Sequence, residues 1–244
     1  MKMTRRLGFA AALLMAATMT VSAQDKVEGT VSADVVNQYI WRGTECGEAS
    51  VQPTLGLSYK GVSLTAWGST ELNPSGKYPK EFDLTLGYST GGFNIGVTDY
   101  WFTSGGDPDG RYFRYNTHGT NHMFEANVGY DFGPVAVQWY TYFAGNDYNK
   151  TDEATGEAKR AYSSYVEVSA PFKLGGLDWL AAVGASPLKT SLYGNSDFAV
   201  TNVSVKATKD IAVTPSFSIP VFVGVAANPC SQKAYFLAGF TLRP

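Results

Sequence analysis

The sequence predicts an all-β protein, a transmembrane up-and-down antiparallel β-barrel of about 12 strands that follows a cleaved signal peptide. Three observations predict it. The chain opens with an export leader, it continues as a series of alternating segments of about ten residues, and the connections between those segments switch regularly between short and long.

The leader comes first. Lys2, Arg5 and Arg6 precede an apolar run over residues 7–19 that ends in Val21-Ser22-Ala23, the charged, apolar and small-residue order of a secretory signal peptide cut before Gln24. The run is shorter than the ~20 apolar residues a membrane helix needs, and no Cys sits just after the cut to carry a lipid anchor. The expected organisation is therefore a leader over 1–23 and one barrel domain over 24–244. The latter contains no long apolar segment, which excludes a helical membrane protein.

Composition agrees with strands. The chain holds 15 Tyr, 14 Phe, 5 Trp and 26 Gly with only 16% charged residues, a mixture suited to β-structure and tight turns. Without the three leader bases, about 16 basic residues face 21 acidic ones, a net charge of about −5, so nucleic acid is not an expected partner.

Period-two alternation places strands at 27–42, 51–59, 62–72, 81–90, 93–103, 121–132, 135–144, 161–172, 177–186, 198–208, 211–223 and 234–243. Lys60-Gly61, Gly91-Gly92, Gly133-Pro134, the stretch 173–176 and Lys209-Asp210 supply the short turns. Polar loops over 44–50, 73–80, 104–120, 145–160, 187–197 and 224–233 fill the alternate positions. A bacterial outer-membrane barrel has this pattern, with tight periplasmic turns, longer outer loops and an even strand number; the Greek-key crossovers of a periplasmic sandwich give no reason for it.

The faces follow the same logic. In the fourth strand Phe82, Leu84, Leu86 and Tyr88 face lipid while Asp83, Thr85, Gly87 and Ser89 face inward. In the sixth, Phe124, Ala126, Val128, Tyr130 and Phe132 oppose Met123, Glu125, Asn127, Gly129 and Asp131, and the last strand sends Phe236, Ala238, Phe240 and Leu242 outward. The fifth breaks the rule, since Asp99 shares a face with Phe93, Ile95 and Val97; a bulge or a switch to the rim near Thr98 is expected. Tyr39, Trp41, Tyr59, Tyr88, Trp101, Tyr130, Phe132 and Phe172 stand near strand ends, where an interfacial girdle places amphipathic rings.

The string Val36-Asn37-Gln38-Tyr39-Ile40-Trp41-Arg42-Gly43 resembles the start of the TorF family of porins, whose first strand ends in an aromatic-Arg-Gly signature. The likeness continues through Pro53, Tyr59, Ala66-Trp67-Gly68-Ser69, Glu81-Phe82-Asp83 and Gly87-Tyr88-Ser89 to about Trp101. It implies a porin-like outer-membrane barrel. The chain departs from common outer-membrane usage at its end, where Thr241-Leu242-Arg243-Pro244 follows Phe240 in place of a closing aromatic.

Inward parity assigns Asp34, Arg42, Glu71, Asp83, Glu125, Glu167, Asp178 and Lys206 to the lumen, six acids against two bases. Charges in a narrow channel must be hydrated or paired, so this lining implies either a wet, mildly cation-preferring pore or a lumen plugged by its own salt bridges. Arg42 is the residue expected to matter most, as a selectivity charge or as a tie between strands. Cys46 and Cys230 fall in the first and last outer loops, which closure brings together, so a disulfide between them is expected in an oxidising periplasm.

His118 and His122 close a polar loop, match no hydrolase motif and make a weak metal pair, while Asp107-Pro108-Asp109-Gly110 lacks the later ligands of a calcium loop and reads as a turn. No cofactor or metal is expected. The leading expectation is a non-enzymatic channel for passive passage of small solutes or ions, with outer-membrane lipid and, during insertion, the barrel-assembly machinery as partners. A structural or binding barrel working through loops 104–120 and 145–160 is the second reading, and a rim lipid hydrolase the third.

Overall fold

A computed structural model describes residues 26–73, 77–103, 109–116, 119–152, 154–215 and 217–244. The expected leader, His118 and the start of the Asp107 to Gly110 stretch lie outside the described residues.

Twelve long strands close into one antiparallel barrel: β1 (Glu28–Val36), β4 (Ser50–Tyr59), β5 (Val62–Glu71), β6 (Glu81–Thr90), β7 (Phe93–Phe102), β8 (His122–Asp131), β9 (Ala136–Gly145), β12 (Ser164–Leu174), β13 (Leu177–Ser186), β14 (Ala199–Thr214), β15 (Phe217–Asn228) and β16 (Lys233–Leu242). Two short hairpins lie outside that wall, β2 (Tyr39–Trp41) with β3 (Thr44–Gly47), and β10 (Lys150–Thr151) with β11 (Ala158–Lys159). Each strand of the wall pairs with its neighbour in sequence, and β1 meets β16 at the seam through Ala33↔Leu242 to Val36↔Gly239. Closure at these four positions joins the first and last strands of the wall to each other.

The wall is apolar outside and polar inside. Leu55, Leu57, Leu64, Leu86, Ile95, Val97, Val128 and Val223 are exposed on the outer surface, whereas Gln52, Asp83, Thr85, Thr98, Glu125, Asn127, Gln138 and Glu167 are buried within. Water would reverse that preference; a bilayer rewards it, and strands of ten residues are long enough to cross one when tilted. Tyr59, Tyr88, Tyr130, Phe132 and Phe172 ring one end of the outer surface, beside the tight turns, as an interfacial girdle requires.

That end is set by turn chemistry. At Lys60-Gly61, Gly91-Gly92 and Gly175-Gly176 the central residues hold positive φ, as two-residue hairpin turns that match strand twist demand. The opposite end carries the longer loops, and we call the two the turn end and the loop end.

The wall departs from expectation in several places. The first strand stops at Val36, not at residue 42, because Asn37 takes over the pairing with β16: its amide donates to the Phe236 carbonyl at 2.9 Å and accepts from the Ala238 N–H at 2.7 Å. This frees the following chain to turn inward. Tyr39 and Trp41 therefore lie inside the barrel and not in the girdle.

Lys209-Asp210 is not a turn. These residues pair with Val221 and Pro220 in the middle of long strands, and the ladder continues to Thr214↔Phe217. The last loop-end connection shrinks accordingly to residues 229–232. Nor does β7 bulge near Thr98, since its pairing runs unbroken from Glu81↔Phe102 to Thr90↔Phe93. The register shifts fall instead between Phe124 and Glu125, between Gly184 and Ala185, and between Ala212 and Thr214.

Candidate functional site: the filled lumen

The inward turn after Asn37 becomes the hairpin β2–β3, folded into the loop end of the barrel. Its two-residue turn is Arg42-Gly43 with φ of 49° and 77°, the doubly left-handed geometry of a type I′ turn. A left-handed arginine costs free energy that its surroundings must repay, and Arg42 has strong partners. Its guanidinium donates to both carboxylate oxygens of Glu125, at 2.6 and 2.9 Å, and to the Tyr193 hydroxyl at 2.7 Å.

Aromatic rings complete the cage. The Arg42 guanidinium carbon lies 4.1 Å from the Tyr140 ring centre, 4.3 Å from Trp41 and 4.6 Å from Tyr165, so cation–π attraction adds to the fork of hydrogen bonds. Tyr193 comes from the loop over 187–198 and stacks on Trp41 and Tyr165 at 5.9 and 5.8 Å. Two loop-end segments thus meet on one buried ion pair.

The hairpin is pinned elsewhere too. Asn228 on β15 donates to the Gly43 carbonyl at 3.1 Å, and Tyr39 packs on Trp67 of β5 at 5.4 Å. Little space is left. The cavity lined by Arg42, Tyr140, Tyr165, Glu167, Asn202 and Lys206 measures about 90 Å³, and a second beside Asp34, Gln52 and Lys206 about 40 Å³, room for a few waters.

The inward residues read from parity divide into three groups. Arg42 and Glu125 form the central pair. Asp34 accepts from the Thr241 hydroxyl at 2.6 Å across the seam and shares the smaller cavity with Lys206, while Glu167 accepts from the Tyr165 hydroxyl at 2.6 Å and from Asn202 at 3.4 Å. Glu71 and Asp178 stand apart at the two rims. Glu71 accepts from the Glu48 N–H at 3.0 Å at the loop end, and Asp178 pairs with Lys173 at the turn end. Asp83 is the exception: it is 1% exposed, and no donor among the described residues reaches either of its oxygens.

Glu81, Tyr100, Tyr142, Tyr165 and Tyr193 belong to the site and were not singled out from sequence. Parity places Glu81 with Asp83 and puts Tyr100, Tyr140, Tyr142 and Tyr165 on inward faces, a row of bulky rings at odds with an open pore. Tyr193 left no signal, because a loop residue has no parity.

Cys46 and Cys230 are not joined. Cys46 rides into the lumen on β3, its thiol toward the Thr44 carbonyl at 3.7 Å, whereas Cys230 stays in the tight turn at the rim with its thiol toward the Gly194 carbonyl at 3.9 Å. Inward folding of the first loop is what separates them.

His122 lies on the outer wall. Its Nδ1 is 2.7 Å from Asp99 and its Nε2 is 2.5 Å from the Tyr112 carbonyl, so both ring nitrogens are engaged, and Tyr115 stacks over the ring at 4.3 Å. A rim hydrolase would need one of those nitrogens turned to a nucleophile.

No family model and no curated protein matches the sequence, so the resemblance to the TorF family rests on the residues that suggested it. Among solved structures the chain is similar to a porin at 13% identity and a TM-score of 0.36, covering 81% of this chain and 63% of that one, so it spans less than two thirds of that porin. It is also similar to OmpF of Salmonella typhi in complex with daunomycin, at 11% identity, 90% and 97% coverage and a TM-score of 0.38. An outer-membrane channel from Pseudomonas putida F1 follows at 12% identity, 87% and 94% coverage and a TM-score of 0.38. At this level of identity and superposition none of them bears on what the lumen holds.

Proposed function

We propose that the chain is a porin-like channel of the bacterial outer membrane, for passive passage of small solutes or ions, held shut by its own first outer loop. One observation carries this reading. The segment that fills the loop end is a separate hairpin, fixed to the wall by side-chain contacts and aromatic packing, while the twelve-strand ladder closes without it. Polar inward residues such as Thr54, Thr65, Thr85, Thr98 and Asn127 line the wall below it, so moving the hairpin would open a hydrophilic path.

Excision tests the idea cleanly, because Val36 and Ser50 are register partners and a short turn can join them. Replacing residues 38–49 with a Gly-rich turn is expected to convert rare, brief steps in a planar bilayer into large, sustained ones. A trimmed barrel that is inserted and folded yet carries no current would overturn the channel.

That outcome would favour the second reading, a structural or binding barrel working through its loops. The loop end supplies a reason to keep it in view. Asp147 accepts from the Ser163 N–H and hydroxyl at 2.9 and 2.7 Å, and Ser163 bonds Thr190 at 2.6 Å, knitting two outer loops into one rigid surface.

A further inference from the structure

We propose that Asp83, with Glu81 beside it, binds an oxygen-seeking divalent cation of the Ca²⁺ type inside the barrel. Both carboxylates project inward from β6, two residues apart, and both are buried. The lumen's two bases are committed elsewhere, Arg42 to Glu125 and Lys206 beside Asp34. Among the described inward acids Asp83 alone has neither oxygen satisfied, and an uncompensated charge in such a place is among the most costly a fold can hold.

No described wall neighbour brings it a donor. Asp83 pairs in register with Trp67 on one side and Tyr100 on the other, and Tyr100 has already given its hydroxyl to Glu125 at 2.8 Å. No group of three His, Cys, Asp or Glu side chains gathers among the described residues. The cation therefore keeps part of its water, as Ca²⁺ readily does with its six to eight oxygen ligands. Two carboxylates supply the charge that neutralises it, and Trp67, the register partner of Asp83, carries Tyr39 of the hairpin against its ring at 5.4 Å.

Trp67 also makes the site visible. Terbium, which takes Ca²⁺ sites, emits when an excited indole or phenol lies close by. The folded full-length barrel in detergent is expected to give saturable sensitised Tb³⁺ emission that Ca²⁺ displaces. Asp83→Asn should weaken that affinity by about tenfold or more and Glu81→Gln should weaken it less, whereas Glu157→Gln on the outer loop should leave it unchanged. Trp67→Phe should dim the emission without moving the affinity, which locates the ion. Far-UV circular dichroism checks that each variant remains a barrel.

Absent emission, or emission that survives Asp83→Asn undiminished, overturns the site and leaves water or a proton on the carboxylate. The assignment rests on the channel reading only in naming the ion its path would attract. Binding in micelles needs no current, so a sealed barrel that holds the ion and a conducting one that does not are told apart.

Discussion

A Cβ placed on Gly43 would stand 1.9 Å from the carbonyl oxygen of Thr201. Thr201 is the extra residue where β14 slips against β13, and its backbone has no side-chain freedom with which to give way. Gly43 also sits at φ 77°, a conformation that costs an L-residue about 1–2 kcal/mol. Gly43→Ala should therefore unseat the hairpin without touching any charge. We expect more frequent opening in a planar bilayer and an unchanged wall by circular dichroism; conductance identical to the parent would mean that the hairpin does not control the path.

The pair of Arg42 and Glu125 gives a second route to the same end. Removing one member leaves the other charged and buried, so Arg42→Ala should lower unfolding stability by about 3–5 kcal/mol. Arg42→Lys should recover only part, since an ammonium cannot form the two-pronged contact or lie flat between three rings. Pairing Arg42→Ala with Glu125→Gln should cost less than the sum of the two single changes. Urea titration of all four forms measures that coupling, and strict additivity would show that the contact contributes nothing.

Much of this was legible in the sequence because a membrane barrel must repeat one rule along every strand. Inward parity points to Asp34, Asp83, Glu125, Glu167 and Lys206 on the wall, and nine of the twelve wall strands lie within about three residues of their expected ends. Two of the other three, β14 and β15, run longer and later because Lys209-Asp210 imitates a turn while Val221 and Pro220 stand opposite to pair with it; the third, β1, ends early. The plug was hidden for a different reason. The stretch from Tyr39 to Arg42 alternates as a strand should, and only Asn37, which completes the seam with its side chain, ends the wall before it. Asp99 misleads in the same way: its outward position suggests a distortion, when it is in fact a hydrogen-bond partner for a histidine that parity alone cannot connect to it.

The cysteines provide a test of where the first loop lies. A bridge from Cys46 to Cys230 would draw β3 from the lumen to the rim and break the contacts of Arg42. Protein purified without reductant should therefore titrate with two thiols once unfolded, and its gel mobility should not respond to dithiothreitol. A reductant-sensitive shift within the monomer would place the loop outside the barrel and remove the plug.

Asp99 and His122 carry the last prediction. A carboxylate on the outer wall of a membrane barrel faces hydrocarbon unless it is covered, and here the fully buried His122 ring covers it, itself capped by Tyr112 and Tyr115. Replacing His122 with alanine takes away the ring that bridges the Asp99 carboxylate and the Tyr112 carbonyl, a loss of about 1–3 kcal/mol. The double change Asp99→Leu with His122→Phe removes the polar groups together and keeps a ring in the stack, so it should fall close to the parent in urea titration. Should the double variant lose as much as His122→Ala, the pair matters through something other than mutual satisfaction. If either variant also abolished a measurable lipid hydrolysis, the engaged ring nitrogens would have to be released in solution, and the loop over the outer wall would then be the part of the molecule that moves.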